Sequence, residues 1–453
     1  MPTNLSGAKH YPIIVMGLGV SGAADVNFFS NYTNARKILG IEKHPWTGME
    51  NSNPMYNAQT LHNGSRETNY SLKKALKIKR GADMIRRYCE RNGDPLLFQK
   101  RRGMVLGVGL DEVAMLKARM EQFAPYYPDL KWADPKELEE LEPLVMLGRN
   151  PNEVVGSLYN SEGLIVNYQR LAEHLLADAL KINPELELVF NTRVKSLVKI
   201  NDIYVVETER EVFTTEFLVC TSGAYSLFFA QELGHGLDYG ILPVAGDFYS
   251  WRPNNGREGL GSKVYRVQVE GRPFAEVHGD PDILDMTVTR FGPTVKPMPL
   301  MERRRYGTIP DFGKISLRSP LRLSWSLYKV LAENDMLTYV LQQQLFSLPV
   351  VGKALFLKEV QKIVPTARYE ELSLRRNAGG IRPQVVDLKT GKLLMGNVRV
   401  EGHNSIFNTT PSPGASASFS NAEYDVRKVC EFSNGAIRFD EEKFQKEMLG
   451  QTA

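Results

Sequence analysis

The chain has 453 residues, a formal net charge of +4, 42% hydrophobic residues and 24% charged residues. This composition is typical of a globular protein with a large core, and it excludes a disordered chain and a strongly basic nucleic-acid-binding tail. The three cysteines include no CxxC pair, which argues against a disulfide framework or a metal site and favours a reducing, cytoplasmic compartment. The first ten residues carry no apolar signal core, and no run of about 18 apolar residues predicts a spanning helix.

The chain begins with the pattern strand, glycine turn, helix, strand. Residues 11–16 (YPIIVM) form a short apolar run that predicts a buried strand, and residues 23–29 predict a helix. A second apolar run over residues 38–41 predicts another strand, which ends at an acidic residue. The residues of interest at the turn and at the strand end are Gly17, Gly19, Gly22 and Glu42.

This spacing predicts a dinucleotide-binding site. Gly17 permits the tight turn, Gly19 permits close approach of the backbone to a pyrophosphate, and Gly22 permits close packing of helix and strand. The helix N-terminus offers free N–H groups and a partial positive charge to phosphates, and Glu42 can accept hydrogen bonds from a ribose. A purely structural turn is the alternative, and this pattern alone does not distinguish NAD from FAD.

The rest of the chain alternates between predicted helices and strands around one long polar loop. Residues 46–70 are rich in Asn, Gly, Ser and Thr, and loops of that length are uncommon unless they have a function. Short alternating runs over residues 241–295 predict an antiparallel sheet, and residues 318–364 predict mainly helices. Further helices are predicted over residues 73–91, 110–123 and 168–179, and further strands over residues 186–190, 194–200, 203–208 and 217–220.

Dinucleotide-binding elements therefore occur near the start, the middle and the end of the chain. We expect an α/β fold in which one nucleotide-binding domain is assembled from separated pieces and a second, antiparallel-sheet domain is interleaved with it. The predicted nucleotide-binding domain comprises residues 8–75, 155–228 and 375–435. The predicted substrate-binding domain comprises residues 76–154 and 229–374.

The long loop carries the most specific motif. It reads Asn57-Ala58-Gln-Thr60-Leu-His62-Asn-Gly-Ser-Arg-Glu67-Thr-Asn69-Tyr70 and resembles the flavin-side segment of malate:quinone oxidoreductases. More loosely, it is similar to the same segment of L-2-hydroxyglutarate dehydrogenases. Two later segments, Gly380-Ile-Arg382-Pro-Gln384 and Pro411-Ser412-Pro-Gly414-Ala415-Ser416, resemble the first family's Gly-x-Arg-x-Gln and Ser-Pro-Gly-Ala-Ser motifs. Residues 242–246 and 291–294 are similar to two of its substrate-domain motifs.

This resemblance implies a fold and an activity. It implies an FAD-binding domain of the D-amino acid oxidase and glutathione reductase type. It also implies oxidation of (S)-malate to oxaloacetate, with electrons passed to a membrane quinone. Two alternatives stay open at this stage: an L-2-hydroxyglutarate dehydrogenase or oxidase, and a flavin-binding protein without turnover.

The resemblance also implies site residues. His62 is the expected base for the hydroxyl proton, because an imidazole titrates near neutral pH. Arg382 and Arg290 are the expected partners of the substrate carboxylates, because the planar guanidinium suits a carboxylate. The alternatives are a histidine that only packs near the flavin, and arginines that form surface ion pairs.

The expected FAD contacts extend over the three separated pieces of the predicted nucleotide-binding domain. Backbone N–H groups of Ser412, Gly414 and Ala415 are expected at the N1–C2 side of the flavin ring; an ordinary Pro-Gly turn is the alternative. No metal ligand set is expected. The remaining expected contacts are Gly17, Gly19, Gly22, Glu42, Asn57, Thr60, Val194, Ser222, Gly223 and Gly380.

The sequence pattern that bears on the electron acceptor is less specific than the flavin motifs. Residues 337–363 carry many Leu, Val and Phe residues with Lys353, Lys358 and Lys362 between them, a pattern that fits a surface lying on a bilayer. A core-facing pair of helices is the alternative. We expect a small 2-hydroxy acid and a quinone as partners, no nucleic acid, and peripheral association with the inner face of the cytoplasmic membrane.

Overall fold

The computed structural model describes residues 7–254, 258–269, 276–332, 336–348, 350–394, 396–411 and 413–451. Its central feature is a six-stranded sheet in which every neighbouring pair is parallel except the pair at one edge. The strands are apolar and buried, as expected when helices cover both faces of a parallel sheet. In spatial order they are Val398–Gly402, Ser405–Thr409, Phe217–Cys220, Ile13–Met16, Ile38–Ile41 and Leu186–Val189.

This sheet draws strands from the start, the middle and the end of the chain, as the sequence predicts. The helix that follows the glycine turn is longer than predicted: it begins directly after Gly19 and spans Val20–Tyr32. Helices Tyr168–Ile182 and Ser418–Phe432 pack against it and form one large apolar core with the sheet. The α/β fold class is therefore confirmed.

A mixed eight-stranded sheet forms the second large layer. Antiparallel strands within residues 241–295 are confirmed. Through the parallel pair of Lys263–Arg266 with Gly103–Val108 they continue into strands from residues 103–160. Tyr249 of this sheet stacks on Phe356 of helix Val351–Gln361, with ring centroids 4.3 Å apart, in a second core. In spatial order the strands are Leu372–Arg375, Phe248–Trp251, Asp285–Gly292, His278–Asp282, Lys263–Arg266, Gly103–Val108, Val155–Asn160 and Leu130–Ala133.

Three smaller sheets complete the strands. One has the order Lys296–Pro297, Tyr239–Ala245, Ile381–Asp387 and Lys392–Leu394. A second has the order Lys9–His10, Val212–Thr215, Ile203–Thr208 and Val194–Ile200. The third pairs Phe98–Lys100 with Leu164–Val166.

These pairings bear on the predicted domain boundaries. Val155–Asn160 lies in the eight-stranded sheet, although residues 155–228 were expected in the nucleotide-binding domain. Likewise Ile381–Asp387 pairs with Tyr239–Ala245, although the two were expected in different domains. Since paired strands belong to one layer, and Lys392–Leu394 pairs with Ile381–Asp387, we propose that these boundaries fall after residues 160 and 394. The domain division as a whole stays a prediction.

Capping residues define both ends of one of the predicted helices. Helix Leu72–Asn92 begins at Ser71, whose side chain accepts a hydrogen bond from the Lys74 amide, and it ends at Gly93 in the left-handed conformation. Within the described ranges, no helix has both the length and the apolar character needed to cross a bilayer. The other α-helices are Leu110–Phe123, Pro135–Leu141, Pro143–Met146, Tyr225–Glu232, Ile309–Ser316, Pro320–Ala332, Met336–Leu345 and Glu441–Phe444.

Candidate active site

One large cavity, about 560 Å³ in volume, extends along the carboxyl ends of the central parallel strands. Ligands of open α/β sheets bind outside these strand ends. Its far wall is formed by residues of the mixed eight-stranded sheet, including Phe248 and His278, and of the smaller sheet that contains Ile381–Asp387. Of the residues singled out in the sequence, those that line the cavity are Gly17, Gly19, Glu42, Asn57, Thr60, His62, Val194, Ser222, Gly223, Gly380, Arg382, Gly414 and Ala415. Ser412 lies outside the described residues.

The glycine turn needs its glycines for steric reasons. Gly17 has a φ of +90°, and a Cβ there would lie 2.9 Å from the Cα of Ser222. A Cβ on Gly22 would lie 1.9 Å from the carbonyl oxygen of Gly17, so Gly22 packs the helix on the turn without lining the cavity. The helix N-terminus lines the cavity through Gly19, Val20 and Ser21, as expected of a pyrophosphate site. The Val20 amide donates to the Ser52 hydroxyl at 3.0 Å.

Glu42 is held rigidly at one end of the cavity. Its two carboxylate oxygens accept hydrogen bonds from the backbone amides of Leu18, at 2.8 Å, and His44, at 3.0 Å. The Thr192 amide donates to the Glu42 carbonyl at 2.9 Å, which brings Val194 to the same end. A carboxylate fixed in this way retains lone pairs for a ribose.

The long polar loop forms the other end of the cavity, and some of its side chains stabilise the loop itself. The Asn57 amide group donates to the carbonyls of Asn51 and Asn53 and accepts from the Gln59 amide. It therefore folds its own loop. A Cβ on Gly380 would lie 2.1 Å from Oδ1 of Asn51, so this glycine lets the strand approach the loop closely.

His62 is paired with a carboxylate. Its Nδ1 lies 2.5 Å from Oε1 of Glu67, and its backbone amide donates to the Ser416 hydroxyl at 2.9 Å. Burial opposes ionisation of Glu67, but the hydrogen bond and charge of His62, together with Arg66, lower the pKa of Glu67 to about 2. The ionised carboxylate accepts the Nδ1 proton, which leaves Nε2 as the basic nitrogen of the ring.

Arg382 lines the same cavity with one hydrogen bond, from Nη2 to the Thr294 carbonyl at 3.3 Å. No acidic side chain in the part of the chain that the structure describes forms an ion pair with it. Burial lowers the pKa of Arg382, and nearby Tyr339 partly offsets this effect. Its guanidinium is thus a half-buried cation with donors left for an anionic ligand.

Arg290 occupies a different place from the one expected. Its guanidinium is fully buried and donates to the carbonyls of Pro54, at 2.9 Å, and Asn57, at 2.8 Å, with Nε 3.9 Å from Asp282. It does not line the cavity. Arg290 therefore holds the polar loop against the eight-stranded sheet, and the substrate contact expected for it is corrected accordingly.

A buried ion pair beneath the loop was missed by the sequence reasoning. The Lys263 ammonium lies 3.0 Å from Asp280 and donates to the Ala58 carbonyl at 2.9 Å and to the Thr60 hydroxyl at 2.5 Å. Burial lowers the pKa of Lys263 to about 8, although Asp280 raises it. The two residues stand on neighbouring strands and 17 positions apart, so no local pattern could have linked them.

The fold and the cavity define an FAD-dependent oxidoreductase. Among solved structures, the chain is similar to L-alpha-glycerophosphate oxidase from Mycoplasma pneumoniae with FAD bound, with a TM-score of 0.65 and 17% identity, covering 93% of this chain and 95% of that one. It is also similar to glycine oxidase from Geobacillus kaustophilus, with a TM-score of 0.62 and 18% identity, covering 94% and 95%. These likenesses concern the fold.

Sequence comparison identifies the family. The family model described as Malate:quinone oxidoreductase (Mqo) matches residues 9–430. The malate:quinone oxidoreductase of Helicobacter pylori (strain J99 / ATCC 700824) is 35% identical, over 97% of this chain and 98% of its own length. A probable malate:quinone oxidoreductase of Campylobacter jejuni is also 35% identical, over 97% and 99%. The chain belongs to the malate:quinone oxidoreductase family.

Proposed function

We propose that this enzyme oxidises (S)-malate to oxaloacetate at the end of the cavity where His62 and Arg382 lie, and that the electrons pass to a membrane quinone. The observation that carries the proposal is the 2.5 Å contact between His62 and Glu67. This contact places a base and the carboxylate that orients it in one loop. The same loop forms part of the cavity wall. The family resemblance supports malate over other 2-hydroxy acids.

The protein residues have separate parts in this reaction. When bound, FAD supplies the acceptor for the hydride that leaves C2 of malate. His62 Nε2 takes the hydroxyl proton as the carbon–oxygen single bond becomes a carbonyl. The positive charge that forms on the imidazole is stabilised by Glu67, which stays ionised at neutral pH because its pKa is about 2.

Arg382 is proposed to bind a malate carboxylate. Its guanidinium faces the cavity and has no acidic partner among the residues described, so an anionic substrate would neutralise a half-buried cation. Two parallel N–H donors would also fix the orientation of the carboxylate. This orientation would direct the C2 hydrogen toward the flavin and the hydroxyl group toward His62.

Anaerobic mixing tests the proposal. Malate, L-2-hydroxyglutarate and lactate are each mixed with the FAD-loaded enzyme, and flavin bleaching is followed. We expect malate to bleach it fastest, and His62→Ala to slow bleaching by a factor of about 10²–10⁴. The matched control is His174→Ala, which removes a histidine 2.9 Å from Asp94 and outside the cavity. Faster reduction by 2-hydroxyglutarate, or an unchanged rate in His62→Ala, would reject the proposal.

We further propose that the enzyme associates with the membrane through an apolar helical surface. We define this surface as the exposed large side chains of helices Pro320–Ala332 and Met336–Leu345 and of their flanks. On the first helix they recur at intervals of three or four residues, which places them on one face, while Leu323 and Val330 are buried on the other. The members of the surface are Leu317, Leu321, Trp325, Tyr328, Leu337, Leu341, Leu345, Leu348, Val350 and Val351.

The charge of this segment favours an anionic bilayer as the partner. Residues 312–358 contain six basic and two acidic residues, and exposed Arg322 lies beside Leu321, which is 85% exposed. Apolar side chains flanked by basic ones insert at the boundary between headgroups and acyl chains. The surface begins upstream of the predicted segment 337–363 and reaches only to Val351 within it. Phe356, Val360 and Ile363, later in that segment, turn inward to the core.

Vesicle sedimentation tests this part. The enzyme should sediment with vesicles containing phosphatidylglycerol, and the double variant Leu321→Glu/Trp325→Glu should remain in the supernatant with normal malate-dependent flavin reduction. Leu110→Glu is the matched control, because Leu110 is 73% exposed but lies on another helix. Equal sedimentation of the double variant and the control would reject this surface as the membrane contact.

A further inference from the structure

The loop that carries His62 and Glu67 has no regular secondary structure, yet it is bound by one buried side chain. Arg119, on helix Leu110–Phe123, is 8% exposed. Its guanidinium donates to five backbone carbonyls of the loop. They belong to Ser65, from Nε at 3.0 Å; to Tyr70 and Thr68, from Nη1 at 3.1 and 3.4 Å; and to Glu67 and Gly64, from Nη2 at 2.9 and 3.1 Å.

A second side chain from the same segment acts on the same loop. The hydroxyl of Tyr127, just beyond the helix, donates to the carbonyl of Asn63 at 2.9 Å. The helix itself is anchored on the eight-stranded sheet, because Leu116 and Phe123 are buried against Val105 and Leu158. The carbonyls of the loop are thus tied to a rigid element outside the cavity.

We propose that Arg119, assisted by Tyr127, positions the His62–Glu67 pair for proton transfer. The inference rests on the proposed role of His62. Arg119 binds the backbone of Glu67, and the Glu67 side chain orients the His62 ring, so displacement of the Glu67 backbone displaces the base. Only a guanidinium offers five N–H donors in a planar fork; lysine has three on a flexible stem.

Arg119 keeps its positive charge in this buried position. Burial lowers the pKa of Arg119 to about 10, while Glu67 and Tyr127 raise it, so the group remains a cation at neutral pH. Carbonyl oxygens and the nearby Glu67 carboxylate replace the water that burial removes. Arg119 neither lines the cavity nor contacts Nε2 of His62, so it is a positioning residue that acts through other groups.

The test is Arg119→Lys, compared with Arg149→Lys. Arg149 also binds backbone carbonyls, those of Val145, Lys362 and Ile363, but it lies away from the loop. Single-turnover flavin reduction is measured on fully FAD-loaded protein. Misplacement of a reacting group by about 1 Å can cost a factor of about 10², so we expect Arg119→Lys to slow reduction about 10- to 100-fold and Arg149→Lys to leave it unchanged.

A second measurement separates positioning from general damage. If Arg119 acts through His62, then Arg119→Lys should add less than about a threefold loss in a His62→Ala background, since coupled residues are not additive. A full multiplicative loss in that background would overturn the proposal. So would an unchanged rate in Arg119→Lys alone.

Tyr127→Phe keeps the proposal testable if Arg119→Lys does not fold. It removes a single hydrogen bond to the loop, so we expect a smaller loss of reduction rate, again absent in the His62→Ala background. A normal rate in Tyr127→Phe would then overturn the proposal. If His62→Ala alone reduces normally, the base assignment fails as well, and that result is distinguishable because it does not involve Arg119.

Discussion

Replacement of Glu67 by glutamine tests the least familiar part of the site. The change keeps the size of the side chain but removes the charge that accepts the Nδ1 proton of His62 over 2.5 Å. A glutamine amide can instead donate to Nδ1, which would move the proton to Nε2 and leave no base facing the substrate. The variant should therefore bind FAD normally and reduce it slowly.

The size of the effect follows from the hydrogen bond. Hydrogen bonds to charged groups contribute about 1.5–3 kcal/mol. At about 1.4 kcal/mol per factor of ten, loss of this stabilisation in the transition state slows flavin reduction about 10- to 100-fold. The assay is anaerobic stopped-flow reduction by saturating malate. Glu216→Gln is the matched control, because Glu216 lies 3.1 Å from His10 in another histidine–carboxylate pair that does not line the cavity. Equal rates in wild type and Glu67→Gln would refute the reasoning.

Three further predictions concern binding and stability. Arg382→Lys should raise the KM for malate about tenfold or more while FAD stays bound, because the bidentate fork is lost; an unchanged KM would remove it from the substrate site. Gly22→Ala should abolish FAD retention on gel filtration, because its Cβ would lie 1.9 Å from the Gly17 carbonyl oxygen; a yellow, stable variant would contradict this. Since cationic neighbours outweigh burial and lower the pKa of Glu67 and of Glu302 from 4.5 to about 2, these acids stabilise the folded state above about pH 4.5. That stability is lost as pH falls toward 2, and urea unfolding of Glu67→Gln/Glu302→Gln should therefore depend less on pH in this window than wild type.

Local patterns were sufficient where the physical signal is local. The glycine turn, the strand before it and the acid after it lie within one stretch of chain, and steric contacts at Gly17 and Gly22 explain why these positions carry no side chain. Helix Leu110–Phe123 and strands Val194–Ile200 and Ile203–Thr208 have the predicted bounds, because apolar periodicity sets them directly.

At the candidate site, local sequence patterns did not predict the position of every residue. His62 was predicted from its motif, but the position of Arg290 was not, because burial against Pro54 and Asn57 depends on how a distant strand meets the loop. For the same reason, the extent of the apolar helical surface could not be read from hydrophobicity. Leu321 and Phe356 are both apolar, yet one is exposed and the other is buried.

By itself, the sequence determined the α/β class, the nucleotide-binding turn, FAD as the cofactor and the family, because each depends on residues close together in the chain or on motifs in a fixed order. Tertiary structure alone decided which charges are paired. Lys263 meets Asp280, Arg119 binds the carbonyls of residues 64–70, and Arg382 is left facing the cavity. These contacts join segments far apart in sequence. Whether a buried charge supports the scaffold or is available to a substrate depends on which partners the folded chain brings within hydrogen-bond distance.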